Sequence, residues 1–404
     1  MKYQKPNLLH YRIAQAASWI VATFIFRRKI LRNEIKDKSG PFVVIANHEA
    51  ALDFVNLIGA TKRPMTFVIS NSFYNTLPVK GFMNKMGVIP KQQFQSTVTD
   101  LKRIKAVIDR GEPVVIYPAG LMCEDGLSTP IPGATYKFLK WLNVDVYAAR
   151  TTGTYFVMPK WGKGFRPGQT TLDIYRLFRK EELAHMPLDE VKRATDEALC
   201  FDAYREQEEN RIRYMGGRNI QGIENVLYMC PHCLSEFTME VNRKEICCTG
   251  CGYTQSVDKY GFFHKGDKGY EIRYASDWSW LISKVLREKI EDGTQTDLSM
   301  QVAISMIDHK KNKFLPVGAG TLTLTPKAIS LDAQINGEER ILSVGTASLP
   351  SLPFSPGKYL EVQHGSDIYR CMPENGRMVM KCINMLKIYH EMQKEKQEEP
   401  AVVR

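Results

Sequence analysis

The sequence predicts an α/β fold for roughly its first half, with a mostly parallel sheet flanked by helices. Short, continuous apolar runs, typical of buried parallel strands, alternate with amphipathic helical segments. The clearest strand is 43–46, which follows the turn signal Gly40-Pro41 and leads into polar residues. The clearest helix is 97–110, which carries apolar residues on one face and ends before Gly111.

The remaining elements follow the same alternation of strands and helices. Further strands are expected at 66–69, 86–91, 114–117, 144–149 and 170–177, with helices at 133–142 and 188–213. This order places an α/β domain at residues 31–214, after an N-terminal helical segment at 1–30. A glycine-bearing linker is expected at 215–222.

Two Cys-x2-Cys pairs follow the linker: Cys230 with Cys233 and, after fourteen residues, Cys248 with Cys251. Four thiolates at this spacing are typical of a zinc ribbon, predicted at 225–260. They leave no open coordination position, so a structural zinc is expected. Cys247 is excluded because only Cys248 keeps the two-residue gap to Cys251.

The C-terminal region is predicted to be a β-rich domain at 270–395. Short alternating segments run from 318 to 371, preceded by a tryptophan-bearing helix within 271–290 and followed by a closing helix at 378–393. Several strands and then one helix are the order of elements in a pleckstrin-homology-like domain.

Charge and cysteine usage limit the partners and the compartment. The 404-residue chain has 55 Lys and Arg against 44 Asp and Glu, a net charge of +11. This surplus favours an anionic membrane surface, nucleic acid or phosphorylated substrates. Nine cysteines with two metal-type pairs do not form a disulfide scaffold, and they indicate a reducing, cytoplasmic compartment.

The apolar stretch 13–26 is followed by Arg27-Arg28-Lys29. It has 14 residues, whereas crossing the hydrocarbon core takes about 20. The segment predicts either a core helix or a helix lying in the membrane interface, with Trp19 at the headgroup level. The later segment 156–166 mixes aromatic residues with three cations, and it predicts either a membrane-facing lip or a solvated loop.

The candidate catalytic residues are His48 and Asp53, at the exit of the strand 43–46. Open α/β sheets place their ligands beyond the carboxyl ends of the strands. A carboxylate returning to the imidazole would fix its tautomer, and the other nitrogen could then take a proton from a hydroxyl. The alternative is a strand-capping histidine and an aspartate that complements a helix dipole.

The motif Asn47-His48-x4-Asp53 follows an apolar strand, and about seventy residues on the strand 114–117 leads into Pro118-Ala119-Gly120. With these two motifs, the chain resembles the glycerolipid acyltransferase family over residues 8–210. The resemblance implies a glycerol-3-phosphate acyltransferase-like fold, an N-terminal helix that dips into the membrane, His48 as general base and Asp53 as its orienting partner. The substrate-binding residues that it suggests are Asn47, Lys91, Tyr117, Ala119 and Gly120.

Two positions depart from the family pattern. Gln93 stands where an arginine would bind the acceptor's phosphate, which leaves Lys91 as the nearest cation. Ala119 stands where many members have glutamate, and an alanine here is also associated with relatives that act on amino-lipids.

The resemblance implies transfer of a fatty acyl group, in phospholipid biosynthesis, from acyl-CoA or acyl carrier protein to a lysophospholipid, most of all 1-acylglycerol-3-phosphate. The protein would be peripheral or monotopic on the cytoplasmic face of a membrane. The open alternatives are an N-acyltransferase for an amino-lipid, a non-catalytic lipid-binding scaffold, and a nucleic-acid-binding protein that uses the ribbon. Of the partners, nucleic acid is the least favoured.

Overall fold

The computed structural model describes residues 5–76, 80–94, 97–216, 219–266, 268–269, 271–308 and 310–398. These residues form two compact units. The first runs to Asn219 and includes Asp258–Phe262, and the second comprises Ile220–Val257 and the chain from Phe263 onward. None of the helices in the described part of the chain has both the length and the apolar character needed to span a membrane.

The first unit is built on a seven-stranded sheet in the order β1-β7-β6-β2-β5-β3-β4. The strands are β1 (Lys29–Asn33), β2 (Phe42–Ala46), β3 (Thr66–Ser70), β4 (Ile89–Lys91), β5 (Val114–Ile116), β6 (Asp145–Thr152) and β7 (Thr171–Phe178). The five strands from β6 to β4 are parallel, whereas β7 runs antiparallel to β6. The predicted α/β fold with a mostly parallel sheet is therefore confirmed.

Ten helices of the first unit are described. They are α1 (Leu8–Phe24), α2 (Asp53–Ile58), α3 (Asn71–Thr76), α4 (Lys80–Lys85), α5 (Val98–Asp109), α6 (Ala134–Leu142), α7 (Thr154–Val157), α8 (Lys180–His185), α9 (Leu188–Leu199) and α10 (Ala203–Asn210). Helix α5 begins with a capping box in which Thr97 and Asp100 exchange hydrogen bonds, so its start is fixed by side chains.

Strand β2 lies between two apolar cores. All five of its residues are buried, and alternate side chains face opposite sides of the sheet. Val43 and Ile45 pack with α5, α6 and α9, whereas Val44 packs with α1 and α2. This two-sided burial holds the end of β2, and therefore the residues that follow it, in a fixed position.

One prediction for this unit is wrong. The single helix predicted at 188–213 is divided, because Cys200 is extended and the Asp202 side chain caps a new helix through the N–H groups of Tyr204 and Arg205. Strand β1, which extends the sheet by pairing with β7, was not predicted.

The second unit contains both the cysteine pairs and the β-rich region. A four-stranded antiparallel sheet surrounds the cysteines, with β8 (Met239–Asn242), β9 (Glu245–Cys248), β10 (Thr254–Val257) and β11 (Phe263–Lys265). Helix α11 (Ala275–Glu291) follows, and its Trp278 indole donates a hydrogen bond of 2.9 Å to the carbonyl of Met229. The predicted ribbon and β-rich segments thus fall in one unit, and their separate boundaries stay a prediction.

The β-rich part is a seven-stranded antiparallel sheet in the order β15-β14-β13-β12-β18-β17-β16, closed by one helix. Its elements are β12 (Leu298–Asp308), β13 (Lys313–Leu324), β14 (Ala328–Ile335), β15 (Glu338–Gly345), β16 (Phe354–Ser355), β17 (Tyr359–His364), β18 (Asp367–Pro373) and α12 (Met378–Glu398). Strands followed by one closing helix are the predicted order. The first strand, β12, was not predicted.

Candidate active site

His48 and Asp53 lie in contact at the carboxyl end of β2. The Nδ1 atom of His48 is 2.9 Å from Oδ2 of Asp53, which is the first residue of α2. The Asp53 side chain is buried, whereas the imidazole is one-fifth exposed. Because Nδ1 faces the carboxylate, the partly exposed Nε2 is the nitrogen that can meet a substrate hydroxyl.

The position of the Asp53 carboxylate is set by the backbone. Its Oδ2 atom also accepts hydrogen bonds from the N–H groups of Glu49, at 2.8 Å, and Ala50, at 2.9 Å. The carboxylate therefore closes the turn between β2 and α2 and holds the imidazole at the same time. The spacing of five residues places the two side chains together for this reason.

Tyr117 follows β5, the strand beside β2, and its ring packs on His48 with centroids 4.5 Å apart. Its hydroxyl oxygen is buried and has no hydrogen-bond partner among the described residues. Burial, with Asp53 nearby, raises the pKa of Tyr117 well above 10. The neutral hydroxyl lies beside the pair of His48 and Asp53, called the dyad from here on. The role of Tyr117 in substrate binding stays a prediction.

Asn47 fastens the strand exit to the neighbouring strand. Its amide donates to the Thr151 carbonyl at 2.7 Å and accepts from the Thr151 N–H at 2.8 Å. Asn47 is 3% exposed, so in this structure its amide is occupied inside the protein. These bonds to Thr151 fix the residue that precedes His48 and so help to position His48. The predicted contact of Asn47 with substrate stays a prediction.

Gly120 and Ala119 lie in the loop after β5, as expected. Gly120 has φ +71°, a conformation that favours glycine, and its N–H donates to the Tyr117 carbonyl at 3.0 Å. Gln93 donates its side-chain amide to the Gly120 carbonyl. The residue that stands in place of the family's arginine thus helps to hold this loop.

Lys91 ends β4, which is three strands away from β2. Strand spacing puts this at about 14 Å across the sheet. Burial lowers the pKa of Lys91, and its Nζ atom donates to the Gln92 carbonyl at 3.3 Å. The predicted phosphate contact of Lys91 stays a prediction, and it requires the acceptor to lie along this edge of the sheet.

Glu49 is a buried residue of the site that the sequence did not single out. Its Oε2 atom accepts from the Thr154 hydroxyl, at 3.1 Å, and from the Tyr155 N–H, at 2.9 Å. Burial, with Glu206 and Asp53 nearby, raises the pKa of Glu49 well above 4.5. Glu49 ties the exit of β2 to α7, and the only sequence signal for it is its position beside His48.

Cys123 is a buried thiol whose N–H donates to the His48 carbonyl at 3.2 Å. Burial and the surrounding carboxylates raise its pKa well above 9.0, so the reactive thiolate is disfavoured. Cys123 is thus a packed thiol of the site rather than a nucleophile.

The four predicted metal ligands come together in the second unit. The Sγ atoms of Cys230, Cys233, Cys248 and Cys251 all lie within 4.8 Å of one another. Cys230 and Cys251 are 3.7 Å apart, and Cys233 and Cys248 are 3.8 Å apart. A tetrahedral ion with Zn–S bonds of about 2.3 Å needs sulfurs about 3.8 Å apart, so this group can hold a zinc ion.

Hydroxyl groups support the cysteine cluster. The Ser235 hydroxyl lies 3.4 Å from Cys233 Sγ, and the Thr238 hydroxyl lies 3.3 Å from Cys248 Sγ. Such contacts orient ligands and stabilise thiolates.

The fold and the dyad define a class of protein, an α/β domain with a hydrogen-bonded histidine–aspartate pair at the carboxyl end of a strand of its sheet. Residues 27–165 match the family model described as Acyltransferase. The matched region lies within the first unit and includes both His48 and Asp53.

The chain is 28% identical over 127 residues to a chloroplastic 1-acyl-sn-glycerol-3-phosphate acyltransferase of Brassica napus. It is 27% identical over 127 residues to the corresponding enzyme of Arabidopsis thaliana. Each match spans 31% of this chain, with 36% of the first relative and 35% of the second. The chain thus spans about a third of the length of the curated relatives that it matches.

Among solved structures, the 1-acyl-sn-glycerophosphate acyltransferase PlsC of Thermotoga maritima is similar, with a TM-score of 0.41 and 17% identity. That likeness covers 50% of this chain and 78% of the PlsC chain.

Proposed function

We propose that this protein transfers a fatty acyl group from acyl-CoA or acyl carrier protein to the hydroxyl of a lysophospholipid, 1-acylglycerol-3-phosphate above all, in phospholipid biosynthesis. The observation that carries the proposal is the contact between His48 and Asp53 at the exit of a buried parallel strand. The match of residues 27–165 to the Acyltransferase family model supports the same reaction class.

In the proposed reaction, His48 Nε2 takes the proton of the acceptor hydroxyl as that oxygen attacks the thioester carbonyl. The tetrahedral intermediate then collapses, the C–S bond breaks, and the imidazolium returns its proton to the departing thiolate. Asp53 stabilises the imidazolium and fixes its tautomer. No acyl-enzyme forms, because the acceptor attacks the thioester directly.

We propose that the site works at the cytoplasmic face of a membrane, against which α1 lies. Six apolar side chains of α1 are more than half exposed: Leu8, Leu9, Ile13, Trp19, Ile20 and Phe24. The opposite side of the helix is anchored, with Tyr11 fully buried and Ala14 packed in the core. Such an anchored helix with an exposed apolar side fits an interfacial position.

The basic cluster after α1 supports this orientation only in part. Arg28 turns inward and donates to the Asn56 carbonyl at 2.7 Å, which leaves Arg27 and Lys29 as the cations available to anionic lipid.

For the cysteine group of the second unit we propose a structural zinc ion. Four thiolates complete its coordination, so the ion supplies folding energy rather than a reactive position. Contacts within the unit support this role, since Lys381 of α12 donates to Glu236, between the two cysteine pairs, at 2.6 Å.

An amine-bearing lipid is a second candidate acceptor, favoured by Ala119, which provides no carboxylate to the loop after β5. The test incubates the full chain with acyl-CoA or acyl carrier protein and each acceptor in mixed micelles, followed by mass spectrometry of the product. Formation of phosphatidate, whose new ester bond is cleaved by hydroxylamine, would support acyl transfer to the hydroxyl of lysophosphatidate. Formation of an amide, which resists hydroxylamine, would instead support the amine-bearing lipid as the acceptor.

A further inference from the structure

A buried arginine without a counter-charge lies in the segment after β6. Arg166 is 6% exposed, and its guanidinium stacks on the Trp161 ring at 4.6 Å. Among the described residues, no carboxylate lies within the 4.0 Å of an ion pair, and no side-chain hydrogen bond of the guanidinium occurs. Within the described part of the chain, its polar bond is from the backbone N–H to the Val157 carbonyl, at 2.8 Å.

A buried charge is unfavourable unless it is paired, and proteins normally pair it or bind it to a ligand. Burial lowers the pKa of Arg166 to about 10, which still leaves it positively charged at neutral pH. Among the described residues, the guanidinium is therefore a cation with an aromatic neighbour but no anionic partner. A phosphate, with several acceptor oxygens, is the anion that its planar fork binds best.

The segment that carries Arg166 begins beside the dyad. Strand β6 lies next to β2 and runs parallel to it, so both strands end at the same edge of the sheet. The residues that follow β6 bond directly to the Glu49 carboxylate, which adjoins His48.

A second cation of the segment reaches the loop on the other side of β2. Lys160 donates to the Met122 carbonyl at 3.4 Å, and the next residue, Cys123, donates its N–H to the His48 carbonyl. Lys160 is thus connected through residues 122 and 123 to the backbone of His48, whereas Lys91 ends β4, three strands away from β2.

We propose that Arg166, with Lys160, binds a phosphate group of one of the substrates. This inference rests on the proposed acyl transfer and adds a binding site to it. The phosphate belongs either to the acceptor, as in lysophosphatidate, or to the donor, as in coenzyme A and the phosphopantetheine arm. Both sources present the same anion, and the segment 156–166 is then the specificity loop of the site.

The experiment compares substrate pairs that differ only in phosphate. The acceptor pair is lysophosphatidate and 1-monoacylglycerol, and the donor pair is acyl-CoA and acyl-pantetheine. KM for each of the four substrates is measured with the native chain, Arg166→Gln and Lys160→Gln. Arg166→Lys is measured as well, because it retains the positive charge. Lys163→Gln, which changes an exposed cation of the same segment, is the matched control.

We expect the native chain to prefer the phosphate-bearing member of one pair by roughly 10- to 100-fold in KM, the range of a charged hydrogen bond. Arg166→Gln should remove most of that preference, Lys160→Gln part of it, and Lys163→Gln none. The pair that loses its preference identifies the source of the phosphate. Unchanged preferences for both pairs in Arg166→Gln and Lys160→Gln would overturn the site.

A binding measurement separates this site from the catalytic proposal. Trp161 lies under the guanidinium, so short-chain lysophosphatidate or coenzyme A should change the fluorescence of the chain, and Trp161→Phe should remove that change. Such binding without acyl transfer by the native protein would contradict the proposed function and retain the site. Acyl transfer without any phosphate-dependent fluorescence change or KM preference would contradict the phosphate site and retain the proposed function.

Discussion

His48 Nδ1 and Asp53 Oδ2 are 2.9 Å apart, and the same carboxylate oxygen accepts the backbone N–H groups of the two residues that follow His48. One buried carboxylate thus sets both the turn after β2 and the orientation of the imidazole. In the proposed mechanism, catalysis and local stability therefore depend on the same atom, and the two effects can be separated by choosing the substitution.

Asp53→Asn should lower kcat by about 10²–10⁴ with little change in KM, because the amide retains an acceptor for the turn but does not stabilise the imidazolium. Steady-state kinetics with saturating acceptor measures this. Asp53→Ala should in addition destabilise the fold by about 1–3 kcal/mol for each buried N–H that loses its acceptor. Native kcat in Asp53→Asn would contradict the assigned role.

The buried carboxyl of Glu49 predicts a pH dependence of stability. Its pKa is raised above 4.5 by burial, with Glu206 and Asp53 adding repulsion. Above pH 4.5 and below the raised pKa, the folded chain holds a proton that the unfolded chain has released, so stability falls as pH rises.

Glu49→Gln cannot titrate and should lose this slope. The stability of the native chain relative to the variant should then decrease, by up to about 1.4 kcal/mol per pH unit, as pH rises from 4.5 toward the raised pKa of Glu49. Urea unfolding at several pH values measures the difference. Parallel stability profiles of the two proteins would show that Glu49 does not titrate in this range.

The cysteine cluster predicts one zinc ion per chain, measurable by atomic spectrometry. Cys230→Ser should abolish binding and destabilise the second unit, because Trp278 and Lys381 connect the ribbon segment to its helices. Cys247→Ser is the matched control, since Cys247 lies next to Cys248 but outside the cluster, and it should retain the ion. Loss of zinc from both variants would argue for a different ligand set.

The exposed side of α1 predicts binding to lipid vesicles. Trp19 is 60% exposed, and Trp19→Ala should weaken partitioning into anionic vesicles roughly tenfold or more, as expected for one buried aromatic side chain. Trp141→Ala, which removes a 49% exposed tryptophan from α6, should leave vesicle binding unchanged. Equal losses in a sedimentation assay would remove α1 from the membrane contact.

Local patterns predicted the elements that position the site. The apolar run of β2, the helical period of α5 and its end before Gly111 were readable because both elements depend on their own residues. The division of α9 from α10 was missed, since the long charged segment has a continuous helical pattern and the break depends on the cap at Asp202. Strand β1 was missed because its pairing with β7 is non-local.

The site was predictable to the extent that its chemistry lies in one short segment. His48 and Asp53 are five residues apart, so spacing and the strand-to-helix change predicted their contact. Glu49 and Arg166 could not be found in this way, because what distinguishes them is burial, and burial depends on segments far apart in the sequence. Asn47 was predicted to bind substrate, and that contact stays a prediction. Its bonds to Thr151 were not predicted, because they depend on the order of the strands.

The most direct test of the central proposal is acyl transfer from a labelled thioester to lysophosphatidate in mixed micelles, with the native protein and His48→Ala compared at equal concentration. Unfolding midpoints of both proteins establish that the variant is folded. We predict that the native chain forms phosphatidate and that His48→Ala is slower by about 10²–10⁴, the contribution of a general base. Turnover at the native rate in His48→Ala would contradict the mechanism.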